Sequence, residues 1–330
     1  MRRLLASAAI ALASSAPPAM VPRVEFVSLP GVPPVGMDYV AYDAATGLLW
    51  VPAGNTGLID VLDTRAGKLR SVESVPVGKR GTRTVGASAA TVGDGVVYVG
   101  NRADSTVCAF DARTLERRGC ATLPATPDGL AYVATTREVW ATTPTDGSLA
   151  ILDVKEPGAP RFAEAVKLEG RPEGYAVDAA RGIFYTNLED ADRTLAIDVR
   201  THRTAARFEP GCGEAGPRGL ALDAERRQLF VACTDRLRAL DAASGKVLSE
   251  LPTGAGVDNI DFFAPRRLVY VASGKEARLT VAAPAADGAL SVAWTSPTAP
   301  GCRTVVADGS GVAYLPDSRG GRLVVVRPPR

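Results

Sequence analysis

The sequence predicts an all-β protein, a seven-bladed β-propeller, and three phased series of residues support this fold class. Aromatic residues recur at intervals of 48, 42, 45, 45, 40 and 44 residues, as Trp50, Tyr98, Trp140, Tyr185, Phe230, Tyr270 and Tyr314. Aspartates follow the first four aromatics by 13 residues and the fifth by 11, as Asp63, Asp111, Asp153, Asp198 and Asp241. Further aspartates precede four aromatics by six or seven residues, as Asp43, Asp178, Asp223 and Asp308. Units of about 43 residues with several short strands are typical of propeller blades.

Each unit is predicted to contain four antiparallel strands, which we call a to d in chain order. In residues 216–251 short apolar or alternating runs are bounded by turn residues, which is the pattern of strands. The predicted strands are Gly219 to Leu222, Leu229 to Ala232, Arg236 to Leu240 and Lys246 to Leu251. No segment keeps a 3.6-residue period, so we expect minimal helix. The strand-b aromatics are expected to fill the space between blades.

The ring is predicted to close with strands from both ends of the chain. The last unit, residues 302–327, supplies only strands a, b and c, and the segment Val24 to Leu29 is a strand without a unit of its own. This segment should therefore form the outer strand of the last blade, which removes the open sheet edges. The predicted propeller domain covers residues 24–327.

The first 20 residues have the features of a secretory signal peptide. Arg2 and Arg3 precede a short apolar stretch, and alanines and serines up to Ala16 offer cleavage sites. A helical membrane anchor is the alternative, although the apolar stretch is short for a span. No later apolar run is long enough to cross a membrane, so we expect a soluble periplasmic or secreted protein.

Composition limits the classes of function. The net charge of +2 gives no sign of a nucleic-acid-binding surface. His202 is the single histidine of the chain, so a multi-histidine metal site is excluded, and no Cys-x-x-Cys-His haem attachment is present. His202 is predicted to lie in the strand c–d turn of the fourth blade, on the face opposite the channel mouth described below. We therefore predict no Ser-His-Asp triad and no catalytic residues.

Two units carry a resemblance to a known family. Val97-Tyr98-Val99-Gly100-Asn101 and Val269-Tyr270-Val271-Ala272 resemble the core of the YVTN-type propeller repeat, which is similar to the WD40 kind of repeat. Gly219 to Asp223 followed by Leu229 to Cys233 resembles bacterial YncE-like proteins. The resemblance covers the whole predicted domain and implies a periplasmic or surface location, with no established catalysis in most members. Nothing matches the catalytic sites of related propeller enzymes residue by residue.

Candidate binding residues follow from the propeller geometry. Strand a lines the central channel, and the loops before strand a and after strand b share the face around its mouth. The position five residues before the end of each strand a should therefore point to that mouth. Counting places these residues there: Asp38, Asp128, Glu173, Arg218, Asp258 and Arg303. The second unit has Ala87 at this position, and Asn259 and Asp261 add polar groups beside Asp258.

Several interpretations of this mouth remain open. The two arginines could hold a carboxylate or phosphate, and the carboxylates could act as an acid/base pair. Alternatively, the channel is solvated and its charges neutralise one another. Asparagines and aspartates of the strand b–c loops are expected on the same face as turn formers, namely Asn55, Asn101, Asn187, Asp190 and Asp192.

The five cysteines predict two local disulfides. Cys108 and Cys120 lie opposite each other on strands c and d of one blade, six residues on either side of Thr114. Cys212 precedes a strand a and Cys233 ends the adjacent strand b, so these two should also pair. Cys302 is left over beside Arg303. A catalytic thiolate would need a nearby base, which the sequence does not offer.

The leading hypothesis is an exported binding or scaffold module that needs no cofactor and presents the channel mouth to a polar ligand or a protein partner. The alternative is a calcium-assisted hydrolase of the lactonase type, with Glu173, Asp258 or Asn259, and Asp38 around the ion. A third hypothesis is an electron-transfer partner or cofactor chaperone that acts through surface contact.

Overall fold

The computed structural model describes residues 21–329, and the predicted signal peptide, residues 1–20, lies outside them. The described chain forms seven four-stranded antiparallel sheets, as predicted, and one additional two-stranded hairpin. It contains three short 3₁₀ turns and no α-helix. Within this range no helix has the length and apolar character that a membrane crossing requires.

The strands of the blades follow one another in chain order. In blade 1, strands a to d are Ala41–Asp43, Leu48–Ala53, Leu58–Asp63 and Lys68–Ser74. In blade 2 they are Ala87–Gly93, Val96–Asn101, Thr106–Asp111 and Arg117–Thr122. In blade 3 they are Leu130–Val133, Glu138–Thr143, Ser148–Asp153 and Arg161–Lys167. In blade 4, strands a to d are Pro172–Asp178, Ile183–Leu188, Arg193–Asp198 and Arg203–Phe208. In blade 5 they are Pro217–Asp223, Gln228–Cys233, Arg236–Asp241 and Val247–Pro252. In blade 6 they are Ile260–Phe263, Leu268–Ser273, Arg278–Pro284 and Leu290–Pro297.

Blade 7 closes the ring as predicted. Its strands a, b and c are Val306–Ala307, Ala313–Asp317 and Arg322–Arg327, and Arg23–Ser28 supplies strand d. Val24 lies opposite Val326 and Phe26 opposite Val324 in the antiparallel register. The guanidinium of Arg322 lies 4.1 Å from the centre of the Phe26 ring, a cation–π contact on the outer surface.

The hydrophobic core is divided among the contacts between blades. Seven clusters of buried apolar side chains occur in the described residues, one at each blade–blade contact. All seven strand-b aromatics of the sequence repeat are buried in these clusters. The Tyr185 hydroxyl also donates to the Ala242 carbonyl of blade 5 at 2.9 Å, and the Tyr270 hydroxyl donates to the Gly311 carbonyl of blade 7 at 2.8 Å.

The repeated aspartates form the turns on one face of the propeller. The carboxylate of Asp111 accepts backbone N–H bonds from Arg113 at 2.9 Å and Thr114 at 2.8 Å, which closes the strand c–d turn. Asp63, Asp198 and Asp241 accept equivalent pairs of bonds in blades 1, 4 and 5, and Asp153 accepts one such bond in blade 3. These bonds favour the ionised carboxylate and lower the pKa of Asp111 to about 2.

One element lies outside the repeat and was not predicted. Gly78–Arg80 and Arg83–Val85 form a short hairpin between blades 1 and 2. Lys79 donates to the Thr84 hydroxyl at 2.7 Å within it. Arg80 reaches the hydroxyl of Thr126 in the loop that enters blade 3. The hairpin therefore extends over blade 2 on the face that carries the channel mouth.

Candidate functional site

The loops that enter successive strands a, at one end of the blades, are joined to one another by hydrogen bonds. The Thr304 hydroxyl donates to the Asp38 carbonyl at 3.3 Å, and the Asp258 amide donates to the Arg303 carbonyl at 3.0 Å. The amide group of Asn187 donates to the Arg218 carbonyl at 2.6 Å. These contacts place residues at or just before the start of successive strands a side by side.

Five charged side chains at this end form a continuous chain of ion pairs. Arg102 Nη2 lies 2.7 Å from Asp38 Oδ2 and also pairs with Asp128. Arg303 Nε lies 3.0 Å from Asp258 Oδ2, and Arg303 Nη2 lies 3.7 Å from Asp38 Oδ1. The three aspartate side chains are largely buried, whereas the Arg303 side chain is 55% exposed. Among these five ion-paired residues, Arg303 is therefore the one that solvent or a ligand can reach most easily.

Glu173 and Arg218 lie beside this series of ion pairs but have other direct partners. The Tyr39 hydroxyl donates to Glu173 Oε1 at 3.3 Å. Arg218 pairs with Glu189, whose other carboxylate oxygen lies 2.9 Å from Arg171 Nη2. We call Asp38, Arg102, Asp128, Glu173, Arg218, Asp258 and Arg303 the mouth ring.

Burial and mutual repulsion set the protonation of the mouth-ring carboxyls. Burial, followed by the negative charges of Asp128, Asp258 and Asp38, raises the pKa of Glu173 to about 8, against a smaller opposing effect of Arg218. Burial raises the pKa of Asp258 to about 6, although Arg303 opposes the increase. Burial also raises the pKa of Asp128. At neutral pH Glu173 therefore keeps a proton that an exposed carboxyl would have released.

The structure therefore brings the six counted positions within electrostatic reach of one another. Ala87, the counted position in blade 2, is buried, and its sector of the ring is supplied by Arg102. The Asn259 amide donates to the Arg303 carbonyl at 3.2 Å. Asp261 accepts from the Phe262 and Ala307 amides at 2.8 and 2.7 Å, so its carboxylate joins blades 6 and 7.

Sequence reasoning missed Arg102, and a signal for it was present. Its neighbour Asn101 was assigned to the same face as a turn former, and Asn101 indeed accepts from the Ala103 amide at 2.8 Å and donates to the Pro76 carbonyl at 3.0 Å. The predicted mouth positions all lie where the chain enters strand a of each blade. The strand b–c loop that follows Asn101 places Arg102 between two of the counted aspartates.

The carboxyls proposed as calcium ligands are spread over different partners. Asp38 and Asp258 contact arginines, and Glu173 contacts Tyr39. Within residues 21–329 no three histidine, cysteine or acidic side chains are grouped in a way that could hold a metal ion.

His202 lies in the strand c–d turn of blade 4, away from the mouth ring. It pairs with Glu164, and its Nε2 lies 3.3 Å from Glu138 Oε2. Its ring meets Trp140 edge-on at 5.2 Å between centroids, and Trp140 Nε1 donates to Glu138 Oε2 at 2.9 Å. These contacts give the only histidine a packing role between blades 3 and 4.

Both predicted disulfides are confirmed. Cys108 is bonded to Cys120, and Cys212 is bonded to Cys233. Cys302 is a free cysteine that is fully buried in the cluster between blades 6 and 7. Burial raises the pKa of its thiol to about 11, so it is a neutral core residue rather than a group presented to the channel.

Comparison with known proteins supports the fold. No family profile and no curated protein sequence matches the chain. Among solved structures it is similar to a chain of the mitotic checkpoint complex, with a TM-score of 0.77, 13% identity and coverage of 98% of this chain and 100% of that one. A chain of hydrazine synthase from Kuenenia stuttgartiensis has a TM-score of 0.71 and 12% identity, with coverage of 90% and 96%. The β-propeller domain of Cps50 (Swd1) from Myceliophteria thermophila has a TM-score of 0.69 and 12% identity, with coverage of 92% and 99%. The structural similarity shows the fold class, a seven-bladed β-propeller. Because the sequence identities are low, it shows nothing narrower.

Proposed function

We propose that this protein is an exported binding or scaffold module that presents the mouth ring to a polar ligand or a protein partner. The observation that carries the proposal is the concentration of four carboxyls and three arginines at one end of the channel. Burying so many charges has a desolvation cost. The seven interblade clusters already provide the core, so stability of the fold does not require this ring.

The exposure of the ring supports binding rather than a purely structural role. Arg303 is more than half exposed although it contacts two buried aspartates, so its outer edge stays free for a ligand. Burial, and after it the negative charges of the neighbouring carboxylates, raises the pKa values of Glu173 and Asp258. A ligand that brings hydrogen-bond donors to the mouth would relieve this repulsion.

Export and family membership form part of the same proposal. Two disulfides are consistent with an oxidising compartment, and they support a periplasmic or secreted location for a chain that begins with a signal-like segment. The segments that resemble the YVTN-type repeat, Val97–Asn101 and Val269–Ala272, lie in strand b of blades 2 and 6. The segments that resemble YncE-like proteins, Gly219–Asp223 and Leu229–Cys233, lie in strands a and b of blade 5. We propose that the chain is related to that group. Its structural neighbour from the mitotic checkpoint complex is, as that name states, part of an assembly, which suits a scaffold role.

Comparative capture from a periplasmic extract of the native host tests the function. The wild type, an Arg303→Gln/Asp258→Asn double variant and Asp111→Asn on the opposite face serve as baits. Bound proteins and small molecules are quantified by mass spectrometry, and circular dichroism checks the fold of each bait. We expect at least one species that the wild type and Asp111→Asn retain and the double variant loses at least tenfold. Equal capture by all three baits, or none by any, would contradict the proposal.

A calcium-assisted hydrolase is the second candidate, and the raised pKa values of Glu173 and Asp258 are the observation that favours it. Buried carboxyls with such values can act as general acids or bases near neutral pH. Calorimetric titration with calcium chloride separates the candidates. Tight binding that Glu173→Gln abolishes would favour the hydrolase, and no heat at millimolar calcium would rule out the calcium-assisted form.

A further inference from the structure

A cavity of about 640 Å³ opens beside the mouth ring, between blades 7, 1 and 2. The unpredicted hairpin forms one wall through residues 82–85, and the loop that enters blade 1 forms another through residues 34–38. Pro300, Gly301, Arg303, Ser318 and Arg319, from loops of blade 7, form a third wall. Its volume is in the range of pockets that hold small molecules.

The walls of the cavity are positively charged. Arg83, Arg102, Arg303 and Arg319 line it, and Asp38 is the one acidic residue among the described residues around it. Arg102 and Arg303 are paired with mouth-ring aspartates. Arg83 and Arg319 are exposed, and neither forms an ion pair within residues 21–329. Two guanidinium groups are therefore free to bind an anion, for which their planar fork of donors is suited.

Two unsatisfied polar groups lie among the buried residues that line the same cavity. Asp38 is 8% exposed and Ser88 is 5% exposed. The Ser88 Oγ atom has no hydrogen-bond partner in the described part of the chain, and neither has Asp38 Oδ1, although Arg303 Nη2 lies 3.7 Å from that oxygen. A buried polar atom without a partner is costly, and such atoms are rare in folded proteins. A ligand hydroxyl that donates to Asp38 or bonds to Ser88 would satisfy them after a small side-chain shift.

The backbone makes part of the cavity wall rigid. A Cβ atom on Gly86 would lie 2.1 Å from the Gly54 carbonyl oxygen, so two chain segments touch directly here. The Gly54 amide also donates to the Gly36 carbonyl at 2.8 Å. All three glycines line the cavity. A preformed wall lowers the entropic cost of binding.

We propose that this cavity binds a small hydroxylated organic anion, whose carboxylate or phosphate contacts Arg83 and Arg319 and whose hydroxyl group bonds to Asp38 and Ser88. The proposal rests on the binding function proposed above and deepens it, because it names the ligand chemistry and adds two arginines from outside the mouth ring. The inserted hairpin then has a role, since it brings Arg83 to a site that the seven regular blades leave open.

Isothermal titration of the wild type with four probes tests the proposal. Citrate and glycerol 3-phosphate carry carbon-bound hydroxyl groups, and tricarballylate and propyl phosphate are their counterparts without them. We expect at least one hydroxylated probe to bind at least tenfold more tightly than its hydroxyl-free counterpart. Whether citrate or glycerol 3-phosphate binds more tightly then shows whether the site prefers a carboxylate or a phosphate. Equal binding within each pair, or no binding of any probe, would overturn the proposal.

Variants locate the site. Arg83→Gln and Arg319→Gln should each weaken the better probe at least tenfold, because each removes a hydrogen bond to a charged group. Ser88→Ala should weaken the hydroxylated probe by threefold or more and leave its counterpart unchanged. Arg80→Gln, on the same hairpin but directed to Thr126, is the matched control and should bind like the wild type. Unchanged affinity in both arginine variants would place the anion elsewhere.

The outcome separates this inference from the function on which it rests. If no probe binds but the capture experiment still shows a species that depends on the mouth ring, only the cavity assignment is wrong. If both experiments fail, the binding function itself is wrong.

Discussion

Replacing Glu173 by glutamine should make the protein more stable at alkaline pH and change its stability by less than about 1 kcal/mol at pH 5. Burial and the charges of Asp128, Asp258 and Asp38 raise the pKa of Glu173 to about 8, from an ordinary 4.5. Below pH 4.5 the folded and unfolded states both hold the proton. Between pH 4.5 and 8 the unfolded state releases it first, so the stability of the wild type falls as pH rises. Above pH 8 the loss is complete.

The magnitude follows from the two pKa values. Each pH unit across this interval costs about 1.4 kcal/mol, so the full loss is at most about 5 kcal/mol. Water that enters the channel screens part of the charge, and we expect Glu173→Gln to gain about 2–5 kcal/mol over the wild type at pH 9. Glutamine keeps an oxygen that can accept from the Tyr39 hydroxyl, so this contact is retained.

Urea denaturation at pH 5, 7 and 9 measures the effect. The difference between wild type and variant measures the titration of Glu173 together with its coupling to Asp128, Asp258 and Asp38, because groups outside this set titrate alike in both proteins. Glu209→Gln, at an exposed position in the loop after blade 4, is the control and should show no pH-dependent difference. The reasoning is refuted if Glu173→Gln is no more stable than the wild type at pH 9, or if its advantage is the same at pH 5.

Three further predictions concern stability and can be checked by urea unfolding at pH 7. Replacing both Cys108 and Cys120 by serine should cost about 3 kcal/mol, the loop entropy of a crosslink spanning 12 residues; an unchanged midpoint would contradict this. Trp140→Ala should cost about 3–5 kcal/mol because the side chain is fully buried, and Trp140→Phe clearly less. Tyr270→Phe should cost about 1–2 kcal/mol, since it removes the hydrogen bond to the Gly311 carbonyl between blades; a neutral result would show that the carbonyl finds another partner.

The fold could be predicted from the sequence because each blade solves the same physical problem. Every gap between blades needs a large buried side chain on strand b, which yields the period from Trp50 to Tyr314. The strand c–d turns need a side-chain acceptor for two backbone amides, which yields the aspartate series that includes Asp111. The hairpin at residues 78–85 escaped prediction because it is an insertion in one loop and therefore has no repeat to reveal it.

The mouth ring could be predicted only in part. Counting along strand a finds residues such as Asp128 and Asp258, since backbone periodicity fixes where each residue stands. It does not fix where long side chains reach. Arg218 pairs with Glu189 rather than with a counted acid, and Arg102 enters the ring from a different loop. Such pairings depend on side-chain conformation across two blades, which the repeat pattern does not encode.

The cavity and the mouth ring share Arg303, so binding of an anion should be coupled to proton uptake. Arg303 compensates the charge of Asp258 and also interacts with Glu173. An anion in the cavity would oppose part of that positive charge, which raises the pKa values of the carboxyls further. At pH 8, where Glu173 is about half ionised, citrate binding should therefore take up a fraction of a proton. Calorimetry in buffers of different ionisation enthalpy measures this uptake, and Glu173→Gln should reduce it. Proton release on binding, or equal heats in all buffers, would show that the cavity and the ring act independently.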